Sequence, residues 1–356
     1  MNQRKFFYYC LNSYSGRLLS INCIVFLIIC AYDQSIFTPS QDTLITMGAI
    51  DPISLAKGQW WRLLSANFIH YGLLHIVFNS LALYVIGQYI EKIIGGILFL
   101  FIYILSGITA ILATTLVNLS LGMGASGAIF GLVGVGCVIE HLFLRKAPDD
   151  FFPKFKTKYQ EFINKRPFAF IAILNILLAF FLNIIASFFK GFNVRIDNTA
   201  HLVGLLSGAS LFLGVHLIKK NSKKNKRTIF GILILTLNFL VLISGIYFTF
   251  KTSYIPNHFI KNAEASKEPY AKYYYYTQAL SIRKTDDLTR FKRARVLMFH
   301  GEKKQGLNEI KKIINIKSIQ IKAKILVRDL RLLNMEKEAD ELIKLIEMSN
   351  DFSERQ

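Results

Sequence analysis

Ser126 and His201 each lie near the start of a long apolar segment, in the sequences Gly124-Ala125-Ser126-Gly127 and Ala200-His201-Leu202. A charge at the centre of a membrane-spanning helix costs roughly 2.5–3.5 kcal/mol, so an ionisable residue there is a candidate for function. A serine hydroxyl is a weak nucleophile until a neighbouring base takes its proton, and imidazole is the commonest such base. The pair predicts a serine hydrolase whose chemistry takes place inside the membrane.

Two more polar side chains, His75 and Asn79, lie four residues apart in another apolar segment. This spacing puts both on one face of a helix. Hydrogen-bond donors that share a cavity can stabilise an oxyanion where water is excluded. The alternative interpretation is a helix–helix hydrogen bond.

Small residues flank both the serine and the histidine. Glycine before Ser126 permits an irregular backbone next to the hydroxyl, and small residues four apart let two helices approach closely. We expect this approach to bring Ser126 to His201, although simple helix packing would also explain the pattern. The residues concerned are Gly124, Gly127 and Gly131 around the serine, and Ala200, Gly204 and Gly208 around the histidine.

The chain of 356 residues is 53% hydrophobic and has a mean hydropathy of +0.37. Its apolar residues form long runs, which predicts an all-α, polytopic membrane helix bundle. No small-residue cleavage site follows the first run, so we expect a retained signal anchor. Seven runs are long enough to span a bilayer, near residues 18–36, 72–90, 93–117, 124–144, 167–189, 199–218 and 229–250.

The net charge of +20 is unevenly distributed between alternate loops. Seventeen basic residues fall before the first span, after the second, and in the 145–166 and 219–227 loops, whereas the opposite loops hold four. This asymmetry predicts a cytoplasmic N-terminus, and seven spans then put the tail on the extracytoplasmic side. Spans two, four and six would enter from outside, so His75, Ser126 and His201 are expected at similar depth. The pattern also argues against nucleic acid as a partner.

Trp61 and Arg62 follow Gln59-Trp60 in the long link between the first two spans. Aromatic rings beside a cation suit the headgroup layer, so one interpretation is an interfacial anchor. A specific structural role for Trp61 and Arg62 is the alternative.

Residues 251–356 differ in composition, being Lys-rich, charged and helical in pattern, with a net charge of +8. We expect a short cytoplasmic N-terminus (1–17), a membrane domain (18–250) and a soluble helical tail (251–356). The tail repeats weakly at a spacing of 33 residues, because Gly306, Ile310 and Ile313 recur as Ala339, Ile343 and Ile346. This resembles degenerate tetratricopeptide repeats; a helical bundle without true repeats is the alternative.

Together these motifs resemble the rhomboid family of intramembrane serine proteases, over roughly residues 55–218. The resemblance rests on Trp61-Arg62, His75-x-x-x-Asn79 with His70 upstream, Gly87-x-x-x-Glu91, the Gly-x-Ser-Gly of Ser126, and Ala200-His201-x-x-Gly204. It implies that Ser126 is the nucleophile and His201 the general base, with the Ser126 amide, His75 and Asn79 as the oxyanion hole.

The resemblance also implies a dyad, so Asp197 is expected to be a loop carboxylate and not a third catalytic residue. Phe130 replaces the tyrosine that stacks on the catalytic histidine in bacterial relatives. Its ring can still stack, but it has no phenol hydroxyl.

The sequence therefore predicts a serine endopeptidase that cleaves membrane-anchored proteins near the external end of their transmembrane helices. The alternative is a non-proteolytic quality-control adaptor that binds unstable transmembrane helices. A transporter is disfavoured because the spans hold almost no charged residues. We expect no metal and no other cofactor. The expected partners are transmembrane substrates, the lipid bilayer, and a protein that binds the C-terminal tail.

Overall fold

The computed structural model describes residues 3–143, 167–174, 177, 197–219, 226–251 and 254–353. The chain divides into two compact units, Met1–Phe250 and Lys251–Gln356. In the described residues the regular elements are helices, and the only strand-like pairing is an isolated bridge between Ile50 and Gly122. The prediction of an all-α fold is confirmed.

Long apolar helices dominate the first unit. Among the described residues, five of them are long and apolar enough to span a membrane: α2 (Tyr14–Asp33), α6 (Leu73–Ile94, with a wider π-helical turn at Leu83–Gly87), α7 (Gly96–Val117), α9 (Asn198–Lys219) and α10 (Lys226–Lys251). The fourth predicted span is a shorter apolar helix, α8 (Ser126–Phe143). Of the fifth, residues 167–174 are helical, and most of the remainder lies outside the described residues.

Helix α2 begins and ends earlier than the predicted 18–36. Its N-terminus is held by the side chain of Glu91 at the end of α6, which accepts hydrogen bonds from the amides of Tyr14 (2.8 Å) and Ser15 (2.9 Å). Because a carboxylate satisfies amides that would otherwise lack partners, the helix can begin here. A short helix with no apolar run of membrane length, α1 (Gln3–Asn12), precedes it.

The link between α2 and α6 folds into three short helices. They are α3 (Gln41–Met47), α4 (Pro52–Ala56) and α5 (Arg62–Ser65), and a 3₁₀ turn (Ala66–Phe68) follows them. Ser40 and Asp51 cap the first two of these helices by accepting the amides of Thr43 and Ser54. We call residues 41–68 the L1 region.

The core of the membrane unit is formed mainly by α7 and α8. Phe99, Ile102 and Tyr103 of α7 and Leu132 of α8 are fully buried. Helix α10, by contrast, has almost no buried residues. A helix that is apolar on its exposed faces is stable only in a hydrocarbon environment.

Within residues 254–353 the second unit has six helices: α11 (Tyr254–Ala265), α12 (Pro269–Ile282), α13 (Asp287–Phe299), α14 (Lys303–Lys311), α15 (Lys317–Leu332) and α16 (Glu336–Ser353). Consecutive helices pack as hairpins, α13 with α14 and α15 with α16, and α13 also contacts α15. Their shared core contains the predicted repeat residues Ile310, Ile313, Ala339 and Ile346. Whether the hairpins are true tetratricopeptide repeats stays a prediction.

Candidate active site

Ser126 is the first residue of α8, at the end of a loop that the L1 region holds in place. The amide of Gly122 donates to the carbonyl of Ile50 (2.7 Å), and the amide of Ile50 donates back to Gly122 (3.1 Å). The amide of Gly124 donates to the carbonyl of Ala66 (2.8 Å). Gly124 has φ +105°, a conformation that favours glycine. The backbone before Ser126 is therefore fixed at two points by a separate part of the chain.

The ring of His75 lies directly against this loop. A β-carbon placed on Gly124 would come within 2.8 Å of His75 Nε2. The amide of Tyr71 donates to His75 Nδ1 (3.3 Å), so in neutral His75 the proton must be on Nε2. Nε2–H is therefore a donor next to the backbone that leads to Ser126.

Asn79 lies one turn below His75 and is 7% exposed. Its side-chain amide donates to the carbonyl of His75 (2.9 Å), within its own helix. This hydrogen bond stabilises the helix that carries His75. The predicted role of Asn79 as an oxyanion donor stays a prediction.

His70 packs edge-on against His75, with 5.0 Å between the ring centroids. It is fully buried in the loop before α6, and its Nδ1 lies 3.2 Å from the carbonyl of Phe68. Burial, together with the neighbouring His75, lowers the pKa of His70 well below its usual value. A neutral His70 can donate from Nδ1 to Phe68 and support the His75 ring.

His201 lies in the first turn of α9, and its ring stacks on Phe130. The ring centroids are 4.3 Å apart and the planes are within 11° of parallel. Phe130 is four residues after Ser126 on α8, so the two side chains lie on one helical face. The stacked ring therefore puts the His201 imidazole beside the face that carries Ser126. The expected stacking of Phe130 on His201 is present.

Small residues allow α8 and α9 to touch along their backbones. A β-carbon on Gly204 would overlap the carbonyl oxygen of Gly127, and one on Gly208 would overlap that of Gly131. The carbonyl oxygen of Ala200 lies 3.7 Å from the position that a β-carbon on Gly127 would occupy. A larger side chain at Gly204 or Gly208 would therefore separate the helix that carries the serine from the helix that carries the histidine.

Arg62 is buried within the L1 region and does not lie at an outer surface. Its Nη1 donates to the carbonyls of Ile45 and Ala49 (2.8 Å to the latter), and its Nε donates to the side chain of Gln59 (2.5 Å). Burial lowers the pKa of Arg62, an effect that the negative charge of Asp51 partly offsets. The interfacial-anchor interpretation is therefore wrong for Arg62, because its donors are used to join α3 to α5.

Trp61 is 48% exposed, and the guanidinium of Arg62 lies 4.5 Å from its ring centroid. An exposed indole with a cation over its face remains compatible with an interfacial location. The two neighbouring residues thus have different environments.

Asp197 was expected to be a loop carboxylate, and the structure gives it a more specific position. It accepts hydrogen bonds from the amide of Ala200 (3.0 Å), the hydroxyl of Thr114 (2.5 Å) and the side chain of Asn118 (3.2 Å). The first of these contacts caps α9 one turn before His201, and the other two join that cap to the end of α7. Asp197 therefore fixes the start of the helix that carries His201.

We expect Asp197→Ala to destabilise the membrane unit by about 1–2 kcal/mol, the usual cost of losing an N-cap. Turnover of a membrane substrate should fall as well, because the His201 turn loses its attachment to α7. Asp197→Asn should retain most of both, since asparagine caps helices as well as aspartate does. Unfolding and cleavage assays of the two variants check this. Equal behaviour of the alanine variant and the unchanged chain would contradict the assigned role.

Chemical type within an apolar segment identified His75, His201 and Asn79, whereas Ser126 was identified together with the small residues that surround it. The carbonyl of Ala66, the amide of Tyr71 and the hydroxyl of Thr114 were missed. Two of these are backbone groups, which every residue carries, and no sequence signal marks them. Among the described residues no three His, Cys, Asp or Glu side chains lie together as a metal site would need.

The candidate site residues lie in a region of the chain that is similar to a known protein family. The rhomboid domain matches residues 57–220. The rhomboid protease GluP of Bacillus subtilis is 30% identical over 210 residues, which cover 58% of this chain and 36% of that protein. RHOMBOID-like protein 4 of Arabidopsis thaliana is 28% identical over 225 residues, or 60% of this chain and 51% of that protein.

The rhomboid protease AarA of Providencia stuartii is 28% identical over 223 residues, which cover 56% of this chain and 73% of that protein. The chain thus spans about half the length or less of the first two relatives, and most of AarA. The matched region includes the L1 residues from Lys57 onward, α6 to α8, and α9 to its end. With its apolar helices, the chain is an integral membrane protein, and its residues 57–220 form a rhomboid domain.

Proposed function

We propose that this chain is an intramembrane serine protease, with Ser126 as nucleophile and His201 as its base. The observation that carries the proposal is the stacking of His201 on Phe130, one helical turn from Ser126 on the same face of α8. The close backbone contact between α8 and α9 supports it, because a short hydroxyl reaches an imidazole only if the two helices nearly touch.

In the proposed reaction, His201 takes the Ser126 proton as the oxygen attacks the carbonyl carbon of the substrate peptide bond. The resulting imidazolium gives that proton to the leaving amine, and an acyl-enzyme ester remains. A water molecule then loses a proton to His201 and attacks the ester. The new carboxylic acid leaves, and Ser126 recovers its proton.

The negative oxygen of the tetrahedral intermediate needs donors that are already in position. The Ser126 amide and the Nε2–H of His75 are the proposed donors, and Asn79 is a third candidate. The contact of Tyr71 with His75 Nδ1 supports this assignment, because it leaves the proton on the nitrogen that lies against the Gly124 backbone. Loss of a single oxyanion donor typically lowers kcat by about 10²–10³-fold.

The proposed substrates are membrane-anchored proteins that are cut near the external end of a transmembrane helix. A helical peptide bond is shielded by neighbouring turns, so the substrate must unwind locally before its carbonyl can reach Ser126. Helix-breaking and small residues favour such unwinding. We place the N-terminus in the cytoplasm and the tail outside, following the distribution of basic residues.

The test is cleavage of a reporter by the purified full-length chain in lipid nanodiscs prepared with heavy-oxygen water. The reporter has one transmembrane helix with glycine and alanine near its external end; a control reporter has leucines there. We expect two fragments by mass spectrometry, with heavy oxygen in the new carboxylate, and slower cleavage of the leucine control. An intact reporter that remains bound to the chain would favour the adaptor function instead.

A further inference from the structure

Three polar side chains of the membrane unit are buried without a hydrogen-bond partner. Asn22 of α2 and Tyr103 of α7 are fully buried, and the hydroxyl of Ser80 on α6 is also out of reach of solvent. Neither polar atom of the Asn22 side chain, nor either of the two hydroxyls, makes a hydrogen bond within the described residues. A polar group inside a membrane is expensive unless it is hydrogen-bonded. We call Asn22, Ser80 and Tyr103 the polar cluster.

The packing of α2 against α6 puts Asn22 and Ser80 at the same depth. The start of α2 lies against the end of α6, because a β-carbon on Gly87 would come within 3.0 Å of that of Ser15. The two helices therefore run in opposite directions. Asn22 lies seven residues after Ser15. Ser80 lies seven residues before Gly87, so both side chains are about 10 Å from this contact along their helices.

Tyr103 reaches the same depth from α7. Helices α2 and α7 begin together, because a β-carbon on Gly96 would overlap the ring of Tyr14. Tyr103 is seven residues after Gly96, and Asn22 is at the matching position of α2. The hydroxyl of Tyr103 lies close to the Asn22 side chain, but the two are not in hydrogen-bonding geometry. Three helices thus bring unpartnered polar groups to one level near the middle of the membrane.

The chemistry of the polar cluster favours water over an ion. The side-chain nitrogen of Asn22 can only donate and its oxygen can only accept, whereas each hydroxyl can do either. A cation would suit the oxygens but not the amide nitrogen, and the cluster has no carboxylate to balance its charge. Water both donates and accepts, and a buried water typically makes about three hydrogen bonds. It also bridges polar groups that are placed poorly for a direct hydrogen bond.

We propose that the polar cluster is a binding site for buried water, which bridges α2, α6 and α7 inside the membrane. The π-helical turn of α6 begins three residues after Ser80, and such turns interrupt regular helical hydrogen bonding. Glu91 joins α6 to the start of α2 at one end. The bridging water joins the two helices again at mid-depth, and so helps to hold the helix that carries His75 and Asn79. The proposal does not depend on proteolysis.

The test is X-ray radiolysis of the full-length chain in nanodiscs of saturated lipid, with oxidation of each residue measured by mass spectrometry. X-rays convert water to hydroxyl radicals in place, so a bound water oxidises the side chain beside it even where solvent has no access. Tyr103 should therefore be oxidised although it is fully buried. Phe99 is the internal control, because its ring also reacts with hydroxyl radicals, is equally buried and stacks on Tyr103 with 6.1 Å between centroids. It should stay unmodified.

Asn22→Leu/Ser80→Ala should abolish the oxidation of Tyr103, and the milder Ser80→Ala should reduce it. The matched control is Ser106→Ala, which removes a buried hydroxyl of α7 that already donates to a carbonyl of its own helix (2.7 Å) and should change nothing. Unmodified Phe99 shows that a variant is folded; if the double variant is not, Ser80→Ala decides. Two results would overturn the proposal: Tyr103 stays as unmodified as Phe99 in the unchanged chain, or it is oxidised equally in the folded cluster variants.

Discussion

Replacing Ser126 by alanine is expected to lower cleavage of a membrane-anchored reporter by at least about 10⁴-fold, while the chain remains folded. Removal of the nucleophile of a serine protease prevents formation of the acyl-enzyme, and what remains comes from binding and the oxyanion donors alone. No other described hydroxyl shares its position, because Ser126 alone begins α8 on the face of Phe130 and His201.

Ser120→Ala is the matched control, since Ser120 is exposed in the same loop, six residues before the nucleophile. It should cleave the reporter at the rate of the unchanged chain. Both variants should unfold at the same denaturant concentration as that chain, because neither substitution removes a described hydrogen bond or buried apolar surface. Cleavage by Ser126→Ala within tenfold of the unchanged chain would rule out Ser126 as the nucleophile, whatever the function of the protein.

Three of the residues that were identified from sequence have side chains that are costly to place in a membrane. His75, Asn79 and His201 stand out because a polar side chain in an apolar segment needs a reason to be there. The all-α architecture was equally predictable, because hydrocarbon permits few other folds. The resemblance to the rhomboid family is confirmed over residues 57–220, whereas the roles of the individual site residues stay predictions.

What could not be predicted depends on backbone groups and on contacts between distant segments. The attachment of Gly124 to Ala66 joins residues 58 positions apart and uses only peptide groups. Arg62 was ambiguous because a cation next to tryptophan suits either a lipid headgroup or buried carbonyls. Only the fold of the L1 region, which brings Ile45 and Ala49 to the guanidinium, decides between them. Asp197 is similar, since its hydrogen bond to Thr114 spans 83 residues.

The second prediction with a large expected effect concerns the glycines at the contact between α8 and α9. We expect Gly204→Ala to destabilise the membrane unit by about 1–3 kcal/mol, because its methyl group would overlap the carbonyl of Gly127. Reporter cleavage should fall about 100-fold, since a displacement of about 1 Å between catalytic groups has an effect of that size. The loss should appear in kcat more than in KM, because the distance between Ser126 and His201 changes, whereas the groups that bind the substrate do not.

Gly214→Ala, on the same helix α9, separates this effect from a general intolerance of alanine. Its methyl group would come within 2.9 Å of the Leu235 side chain, whose end can rotate away, and 3.2 Å from the carbonyl of Gly231. Alanine also favours the helix over glycine by roughly 0.5–1 kcal/mol. We therefore expect Gly214→Ala to retain near-normal stability and cleavage. If both variants lost activity equally, the contact between α8 and α9 at Gly204 would not be what keeps His201 close to Ser126. Loss of activity in Gly204→Ala alone would show that the contact between Gly204 and Gly127 sets the distance between the two catalytic residues.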